Sequence, residues 1–257
     1  MSRTGSHADL VVDSLGVRYG GVVALEGLSV EVPAGELVGL IGPNGAGKTT
    51  AVDAIGGFTD HSGTVRLGSE DLSGAHPTRR TRAGIARTWQ SMELFDDLTV
   101  RQHCEVAAHE GSLRGLLRDA LWPGRVIDHD TVEGALDRMD LGDVADERPG
   151  HLSLGVRKLV GVARALATSP STLLLDEPAA GLDSDESRAL GRRLREVADS
   201  GPGVLLIDHD TELVLDVCDR VYVLDFGTLI ASGDPASVRQ DPAVVDAYLG
   251  PVSDGGT

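Results

Sequence analysis

Residues Gly42-Pro43-Asn44-Gly45-Ala46-Gly47-Lys48-Thr49 read G-x-x-x-x-G-K-T. Glycines let a backbone turn tightly and aim successive N–H groups at phosphate oxygens. A helix opening at the end of such a loop adds partial positive charge. In this pattern Lys48 reaches the β- and γ-phosphates of a nucleoside triphosphate, and the Thr49 hydroxyl ligates Mg²⁺. The chain has only two lysines, Lys48 and Lys158, so a lysine at this place is unusual in itself. An acidic pair, Asp176-Glu177, closes the apolar run Thr172–Leu175. A carboxylate at Asp176 suits a Mg²⁺ site, and Glu177 then stands where it could take a proton from an attacking water.

Elements of the right kind flank these residues. Glu36–Ile41 is a short apolar run that suits a buried strand, and Thr50–Ile55 suits a helix ended by Gly56-Gly57. Thr172–Asp176 and Val204–Asp208 are apolar nearly throughout, as strands covered on both faces are. Between them Asp183-Ser184-Asp185-Glu186 can open a helix carrying Leu190, Leu194 and Val197. Early strands are expected at Leu10–Tyr19 and Leu28–Val32, later ones at Thr64–Leu67 and Ile85–Trp89, and a pair from Arg220 to Ala231 joined at Asp225-Phe226-Gly227. From about 98 to 168 the pattern turns helical. Thr99 to Gln102 forms a candidate capping box, and Leu113–Leu121 and Val132–Met139 have helical spacing.

Composition narrows the function classes. The 257 residues carry a net charge of −17, which argues against a binder of phosphate backbones. Two cysteines, Cys104 and Cys218, give neither a disulfide framework nor metal-ligand spacing, which suits a reducing compartment. No stretch approaches the ~20 apolar residues of a membrane span, and the polar first nine residues lack an apolar signal segment.

The phosphate loop, Gln90, Leu152-Ser153-Leu154-Gly155, Leu173–Pro178, Ala180–Asp183 and His209 stand in the order found in ATP-binding subunits of ABC transporters, which the chain resembles from about Leu10 to Gly250. Further cues resemble the ATPases of branched-chain amino-acid importers: Arg18–Leu25, Arg87–Gln90, Asp176–Leu182 and Val245–Gly250. The resemblance implies an α/β P-loop nucleotidase core with an antiparallel β subdomain and an inserted α-helical subdomain. Core and β subdomain would span about 10–97 and 169–250 and the helical subdomain about 98–168, with 1–9 and 251–257 as flexible tails. It implies that Tyr19 stacks on adenine and that Gly42 through Thr50 bind the nucleotide. Thr49, Gln90 and Asp176 would hold Mg²⁺, with Glu177, His209 and Gln90 at the reacting phosphate. Ser153, Leu154 and Gly155 would face the partner's nucleotide, and Asp183 would cross the dimer interface.

Where that family most often has Leu-Ser-Gly-Gly-Gln, this chain has Leu152-Ser153-Leu154-Gly155-Val156. Val156 removes a polar side chain from the partner's site. Arg157-Lys158 keeps the basic character of the helix that follows the signature in that family, and is otherwise a solvated face. The partners implied are a second ATPase subunit, identical or paralogous, two integral-membrane permeases docking near 90–98, and indirectly an extracytoplasmic solute-binding protein. No nucleic acid is implied. The implied activity is ATP hydrolysis with Mg²⁺, on the inner face of the cell membrane, powering uptake of branched-chain or other amino acids. A urea or short-amide importer ATPase, or a soluble ABC-type ATPase without a permease, remains the alternative.

Overall fold

The computed structural model describes residues 7–88, 94–108 and 129–249. They fall into two compact units, one built from the chain through Arg87 and again from Ser171, the other from Thr88 to Pro170.

The first unit holds two sheets. One is antiparallel, in the order β2-β1-β4-β5. Its strands are β1 (Leu10–Tyr19), β2 (Val22–Val32), β4 (Ser62–Leu67) and β5 (Glu70–Asp71). β1 reads as one strand because its apolar residues Leu10, Val12, Leu15 and Val17 all bury inward. Bulges after Val12 and Leu15 keep that face inward across the polar Asp13-Ser14. β5 and the helix after it carry no clear periodicity in the sequence.

The second sheet has the order β10-β9-β3-β8-β7-β6. Strands β3 (Leu37–Ile41), β6 (Ile85–Arg87), β7 (Thr172–Asp176), β8 (Gly203–Ile207) and β9 (Arg220–Asp225) run parallel. β10 (Thr228–Gly233) returns antiparallel as the hairpin mate of β9. β3, β7 and β8 are buried at every position, which accounts for their uninterrupted apolar sequences. β6 ends at Arg87, short of the expected Trp89, which lies outside the described residues. Leu10, Leu28, Leu40, Val52, Leu205 and Leu224 join both sheets in one core.

Helix α1 (Lys48–Gly56) follows the phosphate loop, and α2 (Pro77–Ala83) braces it. Arg80 of α2, only 2 % exposed, donates from Nη1 to the carbonyls of Ala54 and Ile55 at 2.7 Å each. Its other nitrogens donate to Ala75 and Ser73 carbonyls at 3.0 and 2.8 Å. The guanidinium thus adds to the Gly57 and Phe58 N–H groups in satisfying the carbonyl end of α1, where both the helix dipole and unsatisfied acceptors call for a cation.

The second unit packs α3 (Val100–Ala108), α4 (His129–Arg138) and α5 (Leu154–Leu166). The expected box at its start is present: Gln102 N–H donates to Thr99 Oγ1 at 3.2 Å and Thr99 N–H to Gln102 Oε1 at 2.9 Å. The helical stretch expected at Leu113–Leu121 lies outside the described residues. Lys158 departs from expectation. It is 7 % exposed on α5, while Arg157 remains exposed, so the pair does not share a solvated face. In the first unit again, α6 (Ser184–Asp199), α7 (Thr211–Val217), α8 (Pro235–Arg239) and α9 (Pro242–Leu249) complete the described helices.

Candidate functional site

Strand β3 delivers the chain to Gly42, and the loop runs to Gly47 before α1 begins. Glycine is required at two of these positions. A Cβ on Gly42 would lie 2.1 Å from the Leu224 carbonyl oxygen, and Gly47 has φ 104° with its would-be Cβ 2.8 Å from the Ala24 carbonyl. Lys48 is 6 % exposed and folds back along the loop, its Nζ donating to the Gly42 and Pro43 carbonyls at 2.6 and 3.0 Å. Burial pushes its pKa down, against the pull of the Glu177, Asp176 and Asp208 carboxylates. Asn44, Gly45 and Thr49 are exposed and Ala46 is buried.

A cleft of about 470 Å³ opens on this loop. Asn44 to Thr50 line its floor, with Glu177, Val22, Val23, Ala24, Phe226 and Gly227 around it. Asp176 ends β7, beside β8, and is 2 % exposed. Arg87, at the end of neighbouring β6, donates to Asp176 Oδ2 at 3.1 Å and to Asp53 Oδ1 at 2.5 Å. Asp176 Oδ1 is buried with no hydrogen-bond partner. Burial raises the Asp176 pKa, and Arg87 opposes the rise. Glu177 follows with φ 49°, its N–H donating to the Ile207 carbonyl at 2.7 Å. A non-glycine residue in this region is uncommon and costs about 1–3 kcal/mol. Here the strain carries the chain off the strand end and puts Glu177 on the cleft wall.

Just past β8, Asp208 is fully buried and accepts from Ala179 and Asp210 N–H groups, each at 3.0 Å. Burial raises its pKa against those hydrogen bonds. His209 is exposed, with Nδ1 3.3 Å from Asp208 Oδ1.

The first unit therefore gathers the loop, Lys48, Thr49, Thr50 and Glu177 on one cleft. Tyr19 ends β1, is 52 % exposed, and its hydroxyl lies 3.2 Å from Thr59 Oγ1. Asp183 caps α6, accepting from Asp185 and Glu186 N–H groups at 2.9 Å in a full capping box. Gln90 lies outside the described residues. In the second unit Ser153 caps α5, its Oγ accepting from Val156 N–H at 3.3 Å. Leu154 beside it is 43 % exposed, and Gly155 is half-buried. Of the segment 90–98, residues 94–98 are described. Phe95 there is 61 % exposed and its N–H donates to His103 Nε2 at 2.9 Å.

Sequence reasoning gave no role to Arg87, Asp53, Asp208, Phe226 or Tyr248. Arg87 carried a signal, being a cation that ends an apolar strand. Tyr248 carried one only in its motif: burial pushes its phenol up to about 12, against a hydrogen bond from the Gly42 backbone.

A strand, glycine loop and helix within a parallel sheet, with a carboxylate ending another strand of that sheet, define a P-loop nucleotide-binding core. Residues 25–180 match the ABC transporter family, and residues 228–250 match the branched-chain amino acid ATP-binding cassette transporter family. The chain belongs to the ABC transporter family and is an ATP-binding, ATP-hydrolysing transporter ATPase. It is 37% identical over 250 residues to the high-affinity branched-chain amino acid transport ATP-binding protein LivG of Salmonella typhimurium, covering 94% of this chain and 97% of LivG. It is 35% identical over 252 residues to BraF of Pseudomonas aeruginosa, of the same description, covering 94% of this chain and 97% of BraF. The lipopolysaccharide export system ATP-binding protein LptB of Escherichia coli is 34% identical over 244 residues, covering 95% of this chain and 98% of LptB. The ADP conformation of MJ1267, an ATP-binding cassette of an ABC transporter, superposes with TM-score 0.82 at 30% identity, covering 95% and 99% of the two chains.

Proposed function

We propose that the chain powers an importer for branched-chain or chemically similar amino acids. The observation that carries this is the match of residues 228–250 to the branched-chain amino acid cassette family. Overall identity alone does not separate cargoes, because LptB lies within a few per cent of LivG. Two such subunits, alike or paralogous, would work against two permeases on the inner membrane face, with an external solute-binding protein delivering cargo. The helical unit of 88–170, with Phe95 exposed near its start, would carry the permease contact.

The chemistry follows from the cleft. Backbone N–H groups of the loop and Lys48 bind and orient the triphosphate. Lys48, now on the Gly42 and Pro43 carbonyls, turns to the β- and γ-phosphates. Thr49 and Asp176 fit Mg²⁺: Asp176 Oδ1 is a buried carboxylate oxygen without a partner, and hard oxygen ligands are what Mg²⁺ takes. Bound there with Gln90, the ion would neutralise phosphate charge. Glu177 accepts the proton of the attacking water. Asp208 steadies the His209 ring through Nδ1, leaving Nε2 for a γ-phosphate oxygen. Tyr19 stacks on the base. Ser153, whose Oγ already accepts from Val156, keeps its proton to donate to the partner's nucleotide, and Leu154, Gly155 and Asp183 complete that interface.

The test is affinity purification of the full chain from its host's membranes, joined to uptake of labelled leucine in a strain lacking it. Two co-purifying permeases and lost leucine uptake are expected. Recovery of a lipid exporter's membrane subunits, or unchanged leucine uptake with lost urea uptake, would overturn the cargo.

A further inference from the structure

Phe226 forms the turn between β9 and β10 with φ 42° and is 89 % exposed. The two-residue loop of this hairpin needs positive φ at both Phe226 and Gly227, but such a position favours glycine or asparagine, and the fold gains nothing from an exposed aromatic there. Positive φ strains a bulky residue, and an exposed ring gains little from burial. Strain of this kind is kept where something over-determines it, commonly at ligand sites. What holds the turn is visible. Gly227 N–H donates to the Ala46 carbonyl of the phosphate loop at 2.9 Å, and the Gly227 carbonyl accepts from Glu26 N–H at 2.9 Å. A Cβ on Gly227 would stand 2.6 Å from the Ala24 carbonyl oxygen, so the approach is as close as backbone allows. The turn is stitched to the loop and to β2 together.

That stitching fixes Phe226 on the cleft that Val22, Val23, Lys48 and Thr49 also line. Val22 is 68 % exposed and Val23 38 %. One end of the cleft therefore carries the loop N–H groups with Lys48 and Glu177, and Val22, Val23 and Phe226 give another part of its wall apolar side chains. A nucleotide has the same polarity, phosphates at one end and a flat π-face at the other. Aromatic rings bind such faces by stacking, without reading their edges.

We propose that Phe226 is a base-binding residue of this cleft, a second aromatic contact for the purine beside the one assigned to Tyr19. The proposal rests on the phosphate loop being the nucleotide site, and the experiment separates the two. Calorimetry on the full-length chain would compare ADP with inorganic tripolyphosphate, which has no base. Phe226→Gly removes the ring and relieves the positive φ. It is expected to hold or raise the thermal midpoint, weaken ADP about ten-fold, and leave tripolyphosphate within about two-fold. Phe226→Trp is expected to keep ADP affinity. Unchanged ADP affinity in Phe226→Gly would overturn the proposal. Equal loss of ADP and tripolyphosphate would also overturn it, by placing the ring in the fold. So would normal ADP binding with lost ATP-driven pairing, which would place the ring at a subunit interface. Lys48→Ala is the control. If it weakens neither probe, the site reading itself fails; if it weakens both while Phe226→Gly changes nothing, only the role of Phe226 falls.

Discussion

Arg87 holds one oxygen of Asp176 at 3.1 Å, while the other oxygen of that carboxylate is buried without a partner. Arg87 also reaches Asp53 on α1, so a single guanidinium links the phosphate helix to the acidic strand end. Arg87 opposes the rise that burial imposes on the Asp176 pKa, and Oδ1 stays without a hydrogen-bond partner.

Removing that guanidinium leaves a buried carboxylate uncompensated. Arg87→Met should lower unfolding free energy by about 3–5 kcal/mol at neutral pH, measured by urea denaturation. A loss below about 1 kcal/mol would mean that Asp176 finds water or another cation instead.

Lys48 donates to two loop carbonyls, and the Glu177, Asp176 and Asp208 carboxylates act on it through space. Lys48→Ala should abolish ATP hydrolysis and weaken ATP binding roughly 10- to 100-fold, the worth of one or two charge-assisted hydrogen bonds. The fold should tolerate it, because a partly desolvated cation is removed with its cost. Equilibrium binding of a fluorescent ATP analogue, beside a thermal melt, checks both halves.

The places of the candidate site residues were readable because the proposed chemistry needs fixed spacings: the loop from Gly42 to Thr49, Asp176-Glu177 at a strand end, His209 after the next strand. The buried strands β3, β7 and β8 were readable for a related reason, since burial on both faces leaves no polar position. What escaped depends on contacts distant in sequence. Arg80 looks like one of many surface arginines until α2 packs against α1. The strained Phe226 looks like an ordinary turn residue until Gly227 is seen bonded to Ala46. Lys158 was misread because a helix face becomes known only with what covers it.

Arg80→Met should cost about 3 kcal/mol or more, since it removes the donor to the Ala54 and Ile55 carbonyls of α1 and to the Ser73 and Ala75 carbonyls beside it. Arg80→Lys should recover only part, because an ammonium cannot reproduce the planar fork. Thermal melts of the three proteins provide the ranking. Equal stability of the lysine variant and the parent would contradict the role given to the fork.

Both cysteines are buried, and burial pushes the Cys104 thiol up to about 12 and the Cys218 thiol higher still. An acid whose folded pKa is raised keeps its proton where the unfolded chain releases it. Stability is therefore expected to fall as pH rises from about 9, the free thiol's range, towards about 12. At pH 8 the native protein should resist alkylation by iodoacetamide, and denatured protein should take up two labels. Rapid labelling of the native chain would mean the helical unit or α7 opens readily.

The central claim is that this cleft binds ATP and that Glu177 takes the proton from water there. Phosphate release by Glu177→Gln, measured with ATP binding on the same preparation, tests it most directly. Binding should stay within about three-fold of the parent, hydrolysis should fall at least about 100-fold as general-base loss implies, and an ATP-bound dimer should accumulate. Phosphate release near the parent rate, with binding intact, would contradict the account.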